Sequence, residues 1–233
     1  MSTIDPSELL RPGLLRGVSI VLAGPATAGA EAGGRLTAAV HAACAELGAR
    51  VSELSLAVEG SGAVDEAGMD EAVDRALDEL GHIDMLVLDA AGLFSSTAQR
   101  AGGEQDDPIA RASGSGREML VACLEASWNV TRAVANRAFL PGGRGGRIVY
   151  LAPAPGAEAA ERAPHVDAAR AGLENLARTL SIEWARHGIM PVTIAPGAAT
   201  GAGEVAGLTA YLASPAGAYF SGCLLDLRGP GQA

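Results

Sequence analysis

Aromatic side chains are scarce in this 233-residue chain, at 3% of the composition, although apolar residues reach 48%. The interior must therefore be filled by Ala, Val, Leu and Gly, a set suited to close packing of helices on a sheet. Cysteine is scarce too. Cys44, Cys123 and Cys223 are odd in number, far apart and flanked by small or apolar residues, a pattern of core thiols in a reducing cytoplasm rather than of a disulfide framework or a zinc site. Positive charge is in short supply: a net charge of −10 leaves no broad basic face to neutralise phosphates, so nucleic acid is not an expected partner. Long apolar runs are missing as well. No window of about 20 apolar residues and no basic-then-apolar leader occurs, and the expectation is a cytoplasmic protein with no membrane contact.

What is present is length and alternation. The chain suits one α/β domain, expected over residues 17–233 after a leader of residues 1–16. GVSIVLAG (17–24) reads as a buried parallel strand, GRLTAAVHAACAELG (34–48) as a helix ending in Gly, and ARVSELSL (49–56) as a second strand. The alternation continues through a helix at 69–81, a strand at 83–92, a helix at 117–140, a strand at 146–153, a helix over 164–187 and a strand at 190–197. The polar, Gly-rich segment 95–116 reads as a loop or weak helix. Strands alternating with helices predict a Rossmann-like, doubly wound parallel sheet with helices on both faces.

Four segments carry a resemblance. IDMLVLDAAG is similar to "D-x-L-V-N-N-A-G", GGRIVYLAP to "G-x-I-V-N-I-S-S", RTLSIEWARHGIMPVTIAPG to "L-A-x-E-x-A-x-x-G-I-x-V-N-x-x-x-P-G", and residues 204–229 to the last helix and strand of the same family. The chain resembles the short-chain dehydrogenase/reductase family along nearly its whole length. The resemblance implies hydride transfer with a nicotinamide cofactor, a tyrosine proton donor, a lysine four residues on, a serine that orients substrate and an asparagine that supports a water relay. Aligned on those motifs, Val166 stands at the tyrosine, Arg170 at the lysine, Pro153 at the serine and Cys123 at the asparagine. The spacing from Pro153 to Val166 is the family's, but none of the four side chains can take over the role. Positioned acid–base groups contribute about 10²–10⁴-fold to rate, so no catalytic residue is expected here.

The cofactor contacts are altered too. The family's "T-G-x-x-x-G-I-G" turn corresponds to AGPATAGAEAGGRL (23–36), where the distance from Gly24 to Gly48 implies an insertion, and Gly29, Gly33 and Gly34 do not keep the fingerprint spacing. The vestigial cofactor positions implied by the resemblance are Gly24, Gly29, Asp89, Gly92, Pro196, Gly197 and Thr200. No acid ends the second strand unless Glu53 serves, and Asp89 would set a negative charge beside a pyrophosphate. After Gly197 the next helix follows almost at once, so the family's lid is nearly deleted. The expectation is no cofactor, with NAD or NADP if the altered site still binds one, and no metal.

Alternative chemistry has plainer readings. His165 beside Val166 reads as a solvated loop histidine, and Tyr150 as a core residue on the opposite strand face from Pro153. Arg170 is expected to pair with Asp167 or Glu174, Cys123 to be a structural thiol, and Thr200 and Asp226 to serve a cap and a turn. By contrast, Leu173, Leu176, Leu180 and Trp184 form a helical stripe flanked by small residues. The resemblance implies an oligomer interface through helices 117–140 and 164–187. The functional expectation is a non-catalytic, reductase-like subunit that assembles with an active family member, with itself, or with both; the alternative is an NAD(P)-dependent ketone reductase or alcohol dehydrogenase with non-standard proton delivery.

Overall fold

The computed structural model describes residues 11–25, 32–56, 66–101, 108–141, 143–155 and 164–228. Six parallel strands form one sheet: β1 (Ser19–Pro25), β2 (Arg50–Leu56), β3 (Met85–Leu88), β4 (Gly146–Leu151), β5 (Ile189–Ala195) and β6 (Leu224–Asp226), in the order β2-β1-β3-β4-β5-β6. The connecting helices are α1 (Ala32–Glu46), α2 (Glu66–Leu80), α3 (Ala90–Ala101), α4 (Pro108–Val134), α5 (Pro164–Glu183) and α6 (Ala202–Ala213). The expected doubly wound parallel sheet is therefore the observed fold.

The apolar runs are buried on both faces, as parallel strands require. Alternate residues of β1 serve opposite layers: Ile20 and Leu22 pack with Val40 and Cys44 of α1 and with Val205 and Ala210 of α6, whereas Val21 and Ala23 join the cluster of Val73 (α2), Val130 (α4) and Leu173 (α5). Leu15 is fully buried in the α1/α6 layer, and its N–H donates to the carbonyl of Leu47. Gly188, at φ 68°, ends a short turn after α5 and turns the chain directly into β5.

Among the element boundaries that differ from the sequence reading, three bear on the site or its supporting helices. β3 stops at Leu88, because Asp89 begins a helix. Of the two readings given for 95–116, loop or weak helix, the helical one holds for the described residues, with α3 running to Ala101 and α4 starting at Pro108; a proline suits the first helical position because its missing N–H costs nothing there. Finally, α4 closes with a π-helical turn over Ala135–Phe139 rather than continuing regularly to 140.

The strand order fixes where a ligand crevice can lie. From β1 the chain steps outward to β2 and then returns past β1 to β3, so the direction of winding reverses between β1 and β3. In open α/β sheets the crevice outside the carboxyl ends of the strands at this reversal is the ligand site.

Candidate functional site at the carboxyl edge of the sheet

Four of the six strands carry functional positions at this edge. Gly24 and Pro25 end β1, Asp89 follows β3, Pro153 follows β4, and Pro196 and Gly197 follow β5. Cys123 reaches the edge from α4, and Val166 and Arg170 from α5. Gly29 lies outside the described residues, and Gly33 and Gly34 fall within the first turn of α1 rather than in a separate glycine nest.

Asp89 is fully buried at the reversal. Its N–H extends the ladder from β3 to β1 by donating to the carbonyl of Ala23 at 2.8 Å, its carbonyl accepts from Leu93, and its Oδ1 accepts from the N–H of Gly92 at 2.8 Å. That is an aspartate N-cap of α3. Its Oδ2 is buried without a hydrogen-bond partner among the described residues. Burial pushes the carboxyl up to about 7, against the opposing pull of the Gly92 N–H. A side chain at Gly92 would collide with the carboxyl, at 2.4 Å from Oδ2 and 3.0 Å from Cδ of Pro25, so glycine is needed for this close approach.

The four positions that the resemblance assigns to catalysis hold no group suited to neutral-pH proton transfer. The Cys123 thiol is buried, donates to the carbonyl of Ala90 at 3.5 Å, and is pushed up to about 12 by burial and by the neighbouring Asp89. Pro153 is buried and Val166 packs half-buried against the α2/α4/α5 layer. Arg170 does not pair with Asp167 or Glu174 as expected, since Glu174 binds Arg178. Its guanidinium instead donates from Nη1 to the carbonyls of Pro153 and Pro196, each at 2.8 Å, and so clasps the ends of β4 and β5. Helix geometry favours this, because a residue two turns into α5 faces the sheet edge, where two carbonyls beyond the strand ends need donors. All seventeen Lys and Arg residues of the chain are arginine, so no lysine can substitute elsewhere; a residue count would have revealed this at once.

The remaining candidates resolve individually. His165 is not a loop residue: it lies in the first turn of α5, half-buried, with its ring stacked on Phe94 at 5.8 Å between centroids. Tyr150 is wholly buried, and its hydroxyl shares a 2.9 Å hydrogen bond with Thr131. Thr200 ties the β5 end internally, accepting from the N–H of Gly197 at 2.8 Å and donating to the carbonyl of Leu227 at 3.0 Å. Asp226 accepts from the backbone and guanidinium of Arg228. Glu53 meets Nδ1 of His41 at 2.6 Å on the surface. Among the described residues no cluster of His, Cys, Asp or Glu could hold a metal ion, and no helix is long and apolar enough to cross a membrane.

A pyrophosphate at this edge needs N–H donors and positive charge. Among the described residues, Asp89 offers a buried acceptor, Arg170 is committed to two carbonyls and Thr200 is bonded internally, so these three supply no free donor to a pyrophosphate.

Comparison with known proteins places the chain. Residues 25–211 match the family model for short chain dehydrogenase. A sorbitol dehydrogenase of Cereibacter sphaeroides is 31% identical over 164 residues, covering 70% of this chain and 57% of that protein. A 2-dehydro-3-deoxy-D-gluconate 5-dehydrogenase of Escherichia coli (strain K12) is 28% identical over 130 residues, or 56% and 47% of the two chains. The matched segment thus spans about half the length of these relatives. Among solved structures, a short chain dehydrogenase from Mycobacterium smegmatis superposes with a TM-score of 0.73 at 22% identity, covering 99% of this chain and 97% of that one. A citronellol catabolism dehydrogenase (AtuB) of Pseudomonas aeruginosa PAO1 gives 0.68 at 23% identity, covering 97% and 99%. With the doubly wound sheet, the carboxyl-edge site and a family match across most of its length, this chain belongs to the short-chain dehydrogenase family.

Proposed function

We propose that this chain is a non-catalytic member of its family, a subunit that assembles with an active short-chain dehydrogenase/reductase and stabilises or regulates it. The observation that carries the reading is the state of the site. Its two titratable or charged positions are a sealed thiol and a guanidinium bonded to backbone carbonyls, and the other two are Pro153 and Val166. Neither hydrocarbon side chain can protonate an alkoxide. No dinucleotide is required for such a role, and Asp89 weakens the site for one.

The assembly half of the reading is supported by the α4/α5 surface. Val121, Trp128 and Ile182 are exposed, Ile182 at 75%. Trp128 of α4 stacks on Trp184, the residue that follows α5, at 6.5 Å between centroids. Exposed Ala168 and Ala171 leave room for a second helix to approach closely. Copies of this chain could use the same face. Co-expression with an active family member followed by co-purification tests the proposal: a stable stoichiometric complex supports it, and strict self-association counts against it.

A second reading is favoured by the names of the matched relatives, which are dehydrogenases. In it the chain is an NAD(P)-dependent ketone reductase or alcohol dehydrogenase with non-standard proton delivery. Saturable turnover of a carbonyl compound by the chain alone would select it.

A further inference from the structure

Two prolines end the pairing of β4 with β5, and one arginine answers both. Pro153 and Pro196 each lie two residues beyond Leu151 and Ile194, the last residues in register between these strands. A proline has no N–H, so neither can continue the ladder as a donor, while its carbonyl still needs a partner. Both prolines are buried, which makes an unmet carbonyl there costly. Arg170 supplies both bonds from a single nitrogen: Nη1 donates to the carbonyls of Pro153 and Pro196, each at 2.8 Å. We propose that the Pro153 and Pro196 carbonyls are a binding site for a guanidinium group, which the chain fills with its own Arg170, and that the β4/β5 end of the crevice is thereby ordered and closed to outside molecules.

The backbone builds this site and a fixed helix delivers its occupant. Arg170 stands two turns into α5, half-buried, on the helix that carries Ala169 and Leu173 into the core. That helix is tied to β5 by a second bond, from Oγ1 of Thr193 to the carbonyl of Leu173 at 3.1 Å. Burial penalises the charge of Arg170, Asp226 and Asp167 favour it, and Arg228, which already binds Asp226, opposes it. Among the described residues no carboxylate bonds the guanidinium, so two carbonyl dipoles hold it. Thr200 makes the matching connection between β5 and β6, accepting from the N–H of Gly197 and donating to the carbonyl of Leu227. From β4 to β6 the edge therefore bonds to itself. Tethering gives the guanidinium an effective concentration that no free cation matches, so wild type offers a visitor no vacancy here.

The test empties the site and offers it the missing group. Arg170→Ala removes the guanidinium without loss of helix propensity, and the deleted fragment is ethylguanidinium. The thermal unfolding midpoint of this variant is expected to fall by at least about 4 °C. Ethylguanidinium chloride at about 50 mM is expected to return about 3–5 °C of that loss in a saturable manner, a gain of about tenfold in the folded-to-unfolded ratio. Sodium chloride at the same ionic strength should give no such gain. Wild type, whose site is full, and Arg170→Met, whose side chain still takes up the space, should not respond either. Nitrogen NMR of wild type should find rotation about the Cζ–Nη1 bond of Arg170 slowed by its two acceptors, a readout that stands even where Arg170→Ala does not fold. No gain for Arg170→Ala, an equal gain for all three proteins, or a freely rotating guanidinium in wild type would overturn the assignment. Turnover of a carbonyl compound by the chain would contradict the proposed function and leave the self-filled site standing, whereas failed rescue would do the reverse.

Discussion

Asp89 shows how one side chain can serve the fold and strain it together. Its Oδ1 caps α3, and its sealed Oδ2 makes ionisation unfavourable in the folded state. A carboxyl raised in the folded state contributes stability that is complete below its unfolded value of 3.8 and is lost as pH rises through about 7. Urea unfolding should therefore show wild type losing stability relative to Asp89→Asn between about pH 4 and about pH 7, with a limiting slope near 1.4 kcal/mol per pH unit and no further divergence above. Equal stability profiles would mean that Asp89 is not held neutral. Arg170 makes the opposite kind of contribution. Replacing it with Met leaves the Pro153 and Pro196 carbonyls without their donor, at an expected cost of about 1–3 kcal/mol in the same assay. Sequence reading placed Asp89 at the crevice because IDMLVLDAAG aligned with the family's strand motif, but it did not reveal the cap or the unpartnered oxygen. It missed the partners of Arg170 because they are backbone atoms of residues 17 and 26 positions away, invisible to an argument limited to neighbours on one helix.

At the scale of elements, the helices and strands were legible where periodicity was strong. The apolar runs of β1, β4 and β5 could only be buried strands, and α5 began at Pro164 as its stripe implied. The stretch around residues 95–116 stayed undecided between loop and weak helix because Ser and Gly weaken a helical pattern, whereas packing of α3 and α4 on the sheet overrides propensity. Pro108 after two aspartates was the available signal for a helix start. Tight packing after α6 gives a check at this scale. A Cβ at Gly217 would lie 2.1 Å from the carbonyl oxygen of Leu212, the last turn of that helix. Gly217→Ala should lower stability by about 2 kcal/mol or more, read as a reduced unfolding midpoint; an unchanged midpoint would show that the short helical turn at Pro215–Tyr219 is free to shift. On the α4/α5 face, Trp128→Glu with Ile182→Glu should abolish association in sedimentation experiments while leaving the circular dichroism spectrum of the fold intact.

The whole molecule keeps the architecture of its family, while the proposed function rests on Cys123, Pro153, Val166 and Arg170 standing at the four positions that the resemblance assigns to catalysis. Architecture is independent of those four positions because the sheet and its two apolar layers are set by residues such as Val21, Leu86, Ile148 and Val192, none of which belongs to the carboxyl edge. The strand order could not be foreseen, since alternation specifies parallel strands but not that a single strand, β2, lies outside β1. The most direct measurement is NADH or NADPH oxidation by the purified chain alone across a panel of ketones and aldehydes. The account predicts no rate above the enzyme-free background at any pH. Saturable turnover that disappears on changing residues between 150 and 170 would contradict it.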